Sequence, residues 1–138
     1  RHGALKKITV PVGITIISLI FVAVLLFYSI QPTEITISDD GIKIHGMYGD
    51  FYTWDSIEKV ELNENLPTIE RRTNGSAVGS KLKGHFRTKE LGPVKLFVDT
   101  EKPPFIYLVT NDRIIIFNMT NKDETSVIYR EMLNKIKR

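Results

Sequence analysis

The feature that most constrains this chain is an unbroken apolar run at residues 8–30, ITVPVGITIISLIFVAVLLFYSI, which holds 23 residues and no charge. As an α-helix it would extend roughly 35 Å, against a hydrocarbon core of about 30 Å. The run is therefore expected to be a transmembrane helix inserted in the lipid bilayer, tilted slightly to fit. A short basic flank, residues 1–7, precedes it with Arg1, Lys6 and Lys7. Pro11 stands near its start, where a missing N–H costs little, and Pro32 follows its end. Tyr28 suits the headgroup level. A cleaved signal peptide is the rival reading, but its apolar core would be shorter, and Ser29-Ile30-Gln31 is a poor cleavage site. The chain opens on Arg1 and not on Met, so it reads as a fragment of a longer one.

Flanking charge sets an orientation. Lys6 and Lys7 lie before the run, whereas Glu34, Asp39 and Asp40 follow it ahead of Lys43. Cytoplasmic flanks carry the Lys/Arg excess, so the remainder is expected outside a bacterial cell membrane. Beyond residues 31–34, a linker, residues 35–138 are long enough for one ordinary domain. The net charge of +3 belongs to the flank: without its three cations, 16 Lys and Arg face 16 Asp and Glu. A neutral domain has no global field to attract nucleic acid. No cysteine is present, which removes disulfides, thiolate metal sites and cysteine nucleophiles.

From Ile35 the apolar period becomes two. Ile35 and Ile37, then Ile42 and Ile44, flank Asp40-Gly41, a pattern that predicts a hairpin closed by a type I′ turn. Residues 48–54 read as a third strand and 57–63 as a fourth. Residues 66–79, with Pro67, Asn74, Gly75 and Gly79, read as a long connection. Residues 82–90, 94–98, 105–109 and 114–117 complete about seven strands, the last two joined by a turn at Asn111-Asp112. Asn121 and Glu124 have capping-box spacing, and Ile128, Tyr129, Met132, Leu133 and Ile136 then form one helical stripe. Lys135, Lys137 and Arg138 favour the negative end of that helix. The expectation is a mainly β sandwich or barrel closed by a C-terminal helix.

Two stretches, residues 37–54 and 71–99, resemble the bacterial pleckstrin-homology-like domains, the most specific pieces being Arg-Thr-Asn-Gly at 72–75 and Gly-His-Phe at 84–86. The resemblance covers residues 35–138 and implies two roughly orthogonal sheets capped by a C-terminal helix, next to a membrane helix. Members of the family are mostly of undefined function, and the fold hosts protein, peptide and lipid binding. Eukaryotic lipid-binding relatives use a basic loop between the first two strands; here that loop is Asp39-Asp40-Gly41, so a phosphoinositide role does not carry over.

The candidate site in the domain is Lys81, Lys83, His85, Arg87 and Lys89, at every second position. In a strand they would line one face. Arg71 and Arg72 would fold back towards it across a glycine-rich turn. The functional reading is a patch for an anionic lipid, polymer or protein partner. The competing reading is a solvated edge strand, where Lys discourages edge pairing and Glu58, Glu61 and Glu64 supply cross-strand partners.

Other chemistry lacks parts. The stretch at 75–81 (GSAVGSK) departs from the phosphate-loop pattern, since Gly79 is followed by Ser80. No G-x-S-x-G elbow accompanies the three histidines, His2, His45 and His85, and no metal-ligand spacing or cofactor signature occurs. Asn74 and Asn118 head glycosylation patterns, relevant only in a eukaryotic secretory route. Phe51, Tyr52 and Trp54 offer an aromatic surface, with a core role the commoner use of Phe51 and Trp54. Two functions are therefore expected in turn: a membrane-anchored interaction module, and a structural or oligomerisation element of a larger membrane complex.

Overall fold

The computed structural model describes residues 2–136, with residues 2–11, 28 and 29 described by backbone alone. Expectations resting on Arg1, Lys137 and Arg138, and on the side chains of Lys6, Lys7 and Tyr28, lie outside the described residues. The chain divides into a helical unit ending at Gln31 and a β-domain beginning at Pro32.

The helical unit is α1, His2–Ile30, 29 residues long. It takes in Ala4, Leu5, Lys6 and Lys7, all good helix formers, so Pro11 is an interior residue and not the helix start. Ile14, Ile17, Leu19 and Phe21 are 60–69% exposed, and consecutive apolar residues leave no polar face. Among the described residues, no helix is long and apolar enough to cross a membrane; side chains are described without a break only over residues 12–27. The spanning helix expected over residues 8–30 is thus unsupported at this level.

Among the described residues the β-domain has nine strands, against about seven expected, the added one being β5. β1 (Ile35–Ile37), β2 (Gly41–Ile44) and β3 (Phe51–Thr53) form an antiparallel three-stranded sheet in the order β1-β2-β3. A single 3₁₀ turn, Trp54–Ser56, leads into the second sheet. This sheet contains β4 (Ile57–Asn63), β5 (Ile69–Val78), β6 (Lys81–Thr88), β7 (Gly92–Asp99), β8 (Phe105–Thr110) and β9 (Ile114–Phe117) in the order β4-β8-β9-β7-β6-β5. All its pairs are antiparallel except β7 with β9. Helix α2, Lys122–Ile136, closes the domain.

The β1–β2 hairpin forms, but without the type I′ turn. No described non-glycine residue has positive φ, and Gly41 has none either. The turn is centred on Asp39-Asp40, with the Ser38 N–H donating to the Gly41 carbonyl at 2.9 Å. The reason is register. A two-residue turn at Asp40-Gly41 would set Ile42 across from Asp39, whereas the observed turn pairs Ile37 with Ile42 and Ile35 with Ile44. Glycine at 41 serves close approach instead, because a Cβ there would run into the carbonyl oxygen of Tyr52.

Residues expected as a long connection include the ten-residue strand β5. Its polar sequence reads as loop, yet β6 supplies a complete ladder, interrupted by register shifts at Ile69/Arg71 and Arg72/Asn74. Gly84 of β6 has φ 112° beside the second shift, and a Cβ there would run into the Asn74 carbonyl and the Gly75 Cα.

The large sheet is apolar on both faces. One face carries Phe97, Ile106, Leu108, Ile115 and Phe117, which pack with Ile42 and Ile44 of the small sheet and Met132 of α2. The other carries Phe86, Val94, Leu96, Val98, Phe105 and Ile116, with Leu66 and Ile69 packed against them. Tyr107 pins the β4–β5 connection over this second core by donating to the Asn65 carbonyl at 2.6 Å. The α2 cap is as expected, with the Glu124 N–H donating to Asn121 Oδ1 at 2.9 Å. Of the predicted stripe, Met132 is fully buried, whereas Leu133 is half-buried. Lys135 reaches Asp39 at 2.6 Å, so α2 meets the acidic β1–β2 turn.

Candidate functional site

β6 lies between β5 and β7, so it is not the edge strand of the competing reading. Lys81, Lys83, His85 and Arg87 alternate along it. Lys83 opposes Phe97 and His85 opposes Lys95 in the β6–β7 register, which sets the stripe on the same face as the first core. Lys89 falls in the turn beyond β6, where its N–H donates to the Thr68 carbonyl. Arg71 opposes Arg87 and shares the stripe's face; Arg72 opposes Phe86 and belongs to the other. The acids expected to neutralise the stripe are elsewhere. Glu58 and Glu61 are on β4 at the far edge of the sheet and Glu64 just follows it, and Glu61 pairs with Lys59 at 3.1 Å. Glu70 approaches Arg87 at 3.8 Å, an exposed pair worth little. Burial, with Lys81 adding, holds the Lys83 ammonium below the usual lysine range.

From His85 the cationic face continues into a cleft of about 400 Å³ that the sequence did not reveal. Three elements meet there: Asp50 to Thr53 at β3, Lys95 in the middle of β7, and Thr110 to Arg113 at the tip of the β8–β9 hairpin. Each is locally held. The Ile44 N–H donates to the Asp50 carbonyl at 2.9 Å, and the Phe51 N–H to Asp50 Oδ1 at 2.8 Å. Buried Thr110 ties the hairpin tip: its Oγ1 donates to the Arg113 carbonyl at 2.9 Å and accepts from the Arg113 N–H at 3.1 Å. Arg113 Nη1 lies 3.3 Å from His85 Nδ1, linking the cleft to the stripe. Tyr48 meets the His85 ring edge to face at 6.1 Å.

Lys95 is the unusual member. It sits in the apolar run Val94-Lys95-Leu96-Phe97-Val98 and is only 7% exposed. Among the described residues its ammonium has no ion pair and no hydrogen bond; its nearest recorded partner is the Phe97 ring, 5.9 Å away. Burial holds it below the usual lysine range, with Asp50 opposing and Arg113 adding to the depression. A buried charge without a counterion is costly. Beside it, the Tyr52 hydroxyl is buried and finds no partner among the described residues. Burial and the Asp50 carboxylate push its pKa up to about 12, against the pull of Arg113. Burial, Arg113 and Lys95 together hold His85 below the usual histidine range, hence neutral at pH 7.

Two cations thus line one open cleft together with Tyr52, whose hydroxyl is sealed from solvent, and among the described residues Lys95 and that hydroxyl lack hydrogen-bond and ion-pair partners. The arrangement can take up an anionic group and desolvate it. Of the residues weighed in the sequence as functional candidates, Tyr52 and Phe51 line the cleft and His85 touches it through Arg113; Asn111 and Asp112, read there as a turn, line it too. Phe51 is 45% exposed, whereas Trp54 packs on the first core and donates from Nε1 to the Ser38 carbonyl at 2.9 Å. Lys95 carried a readable signal, as the lone charge inside an apolar strand; Arg113 carried none. No family model matches the chain, no curated protein matches its sequence, and no solved structure matches its fold.

Proposed function

We propose that this protein is a binding module anchored in a bacterial membrane by α1, whose β-domain takes up an anionic group of a protein or surface partner and performs no reaction. The observation that carries it is Lys95, a nearly buried ammonium without a counterion at an open cleft. The cationic β6 face, running through Lys81, Lys83, His85 and Arg87 with Arg71 beside it, offers a larger surface for the same partner. The anchor rests on a 29-residue helix that is apolar on every described side, a pattern that suits lipid better than water. The charge bias around it favours a β-domain outside the cell. The likeness to pleckstrin-homology-like domains is carried forward as far as two sheets and a closing helix. Tethering would raise the local concentration of the cleft at the membrane, so weak contacts suffice.

The test uses the full chain in detergent micelles, titrated with acetate and with inorganic phosphate while Lys95 and His85 resonances are followed. Saturable shifts that vanish in Lys95→Met are expected. If neither anion produces a saturable shift, the reading fails. The anchor is tested separately: the chain should stay in the membrane pellet through an alkaline carbonate wash, and release would overturn it.

A further inference from the structure

We infer that the cleft takes a zwitterion, a short unblocked peptide or amino acid carrying a carboxylate and a protonated amine. This rests on the anion-binding reading of the same cleft and narrows its ligand. The lining holds Lys95 and Arg113 on one side of the charge balance and Asp50 and Asp112 on the other. A dianion such as a phosphate monoester would gain from the two cations and be repelled by the two carboxylates. A dipolar ligand uses all four groups.

The donors also divide in that way. Lys95, 7% exposed, is the interior member of the lining and suits a carboxylate. Asp50 and Asp112 are exposed, at the solvent side, and suit an ammonium. Asp50 and Lys95 feel each other's charge yet form no ion pair, so the two are not already satisfied by one another. One oxygen of Asp50 accepts the Phe51 N–H, and Asp112 makes no side-chain contact among the described residues. The volume, about 400 Å³, is at the small end of ligand pockets and matches a ligand of one or two residues. Phe51, 45% exposed, lends apolar surface for a small side chain.

The experiment is isothermal titration of the full chain in micelles with four probes: Ala-Ala, N-acetyl-Ala-Ala, Ala-Ala-amide and inorganic phosphate. Ala-Ala should bind at least about tenfold tighter than either blocked dipeptide, the usual effect of losing one charge-assisted hydrogen bond. Lys95→Met should abolish Ala-Ala binding. The double variant Asp50→Asn, Asp112→Asn should reduce Ala-Ala to the level of N-acetyl-Ala-Ala without weakening the latter; Asn at 50 can still accept the Phe51 N–H, which protects the fold. If N-acetyl-Ala-Ala or phosphate binds as tightly as Ala-Ala, the zwitterion assignment is overturned while anion binding stands. If Ala-Ala-amide equals Ala-Ala, the carboxylate half is wrong and the assignment fails. If none of the four binds and acetate is also silent, both readings fall together.

Discussion

Replacing Lys95 by Met should make the β-domain more stable while it empties the cleft of its central charge. Met preserves most of the length and volume of the lysine stem, so packing beside Phe97 on the first-core face is retained. What disappears is the ammonium of a residue only 7% exposed, with no ion pair among the described residues. Exchanging buried ionic groups for apolar residues of similar volume stabilises proteins by about 1–4 kcal/mol. The lost contact with the Phe97 ring, at 5.9 Å, offsets about 0.5–1 kcal/mol of this. A net gain of about 1–3 kcal/mol follows, or roughly 5–20 °C in Tm for a domain of this size. Urea and thermal unfolding of the full chain in one detergent, wild type against variant, measures it. The pH dependence checks the cause. Burial lowers the Lys95 pKa in the folded state, so between that value and the ordinary 10.5 the unfolded chain binds more protons, and wild-type stability rises with pH. The variant's advantage should be full at neutral pH and fade as pH approaches 10.5. Lys83, shifted in the same direction, is common to both proteins and cancels. A variant no more stable than wild type at pH 7, or an advantage that ignores pH, would refute the reasoning.

Tyr52→Phe should be neutral to stabilising by up to about 2 kcal/mol, since it removes a buried hydroxyl without a partner. It should also remove an alkaline instability. The folded chain keeps the Tyr52 proton until about pH 12 while the unfolded chain releases it near 10, so wild-type stability falls across that window; urea melts at successive pH values will show whether the variant's does too. His85, titrated by NMR, should have a pKa below the usual histidine value, rising in both Lys95→Met and Arg113→Met as a neighbouring cation is removed; an unmoved value in both would mean those charges do not reach it. Met132→Ala should cost about 2–5 kcal/mol, and Leu133→Ala clearly less, because Met132 is fully buried in the first core and Leu133 is only half-buried; the reverse order in denaturant unfolding would contradict the packing of α2.

Period-two alternation located β1, β2, β4 and the apolar strands β7, β8 and β9, because each must bury one or both faces. The cap at Asn121 and the stripe of α2 were legible for the same reason, since both are local. β5 was not, because Arg71, Arg72, Asn74 and Gly75 are loop-like residues kept extended only by their partner β6. The turn at Asp39-Asp40 was misplaced by one residue, because the pairing of Ile37 with Ile42 outranks the preference of Asp-Gly for a type I′ turn. Lys81, Lys83, His85 and Arg87 share one face of β6, but Lys89 falls in the turn beyond it, and the neighbours of the stripe depended on strand order, which no local pattern encodes. The cleft was least legible. Its members at 50, 52, 95 and 113 come together only through the pairing of β7 with β9 and of β2 with β3.

That strand order also has a meaning for the growing chain. β4 and β7 never touch, because β8 and β9 enter between them as one hairpin. A ribosome that has delivered the polypeptide only as far as Asp99 has therefore made a lone β4 and a three-stranded β5-β6-β7 piece, each with an oily border and unsatisfied backbone amides. Those borders stay open to wrong partners until Phe117 has emerged and the inserted hairpin seals them together.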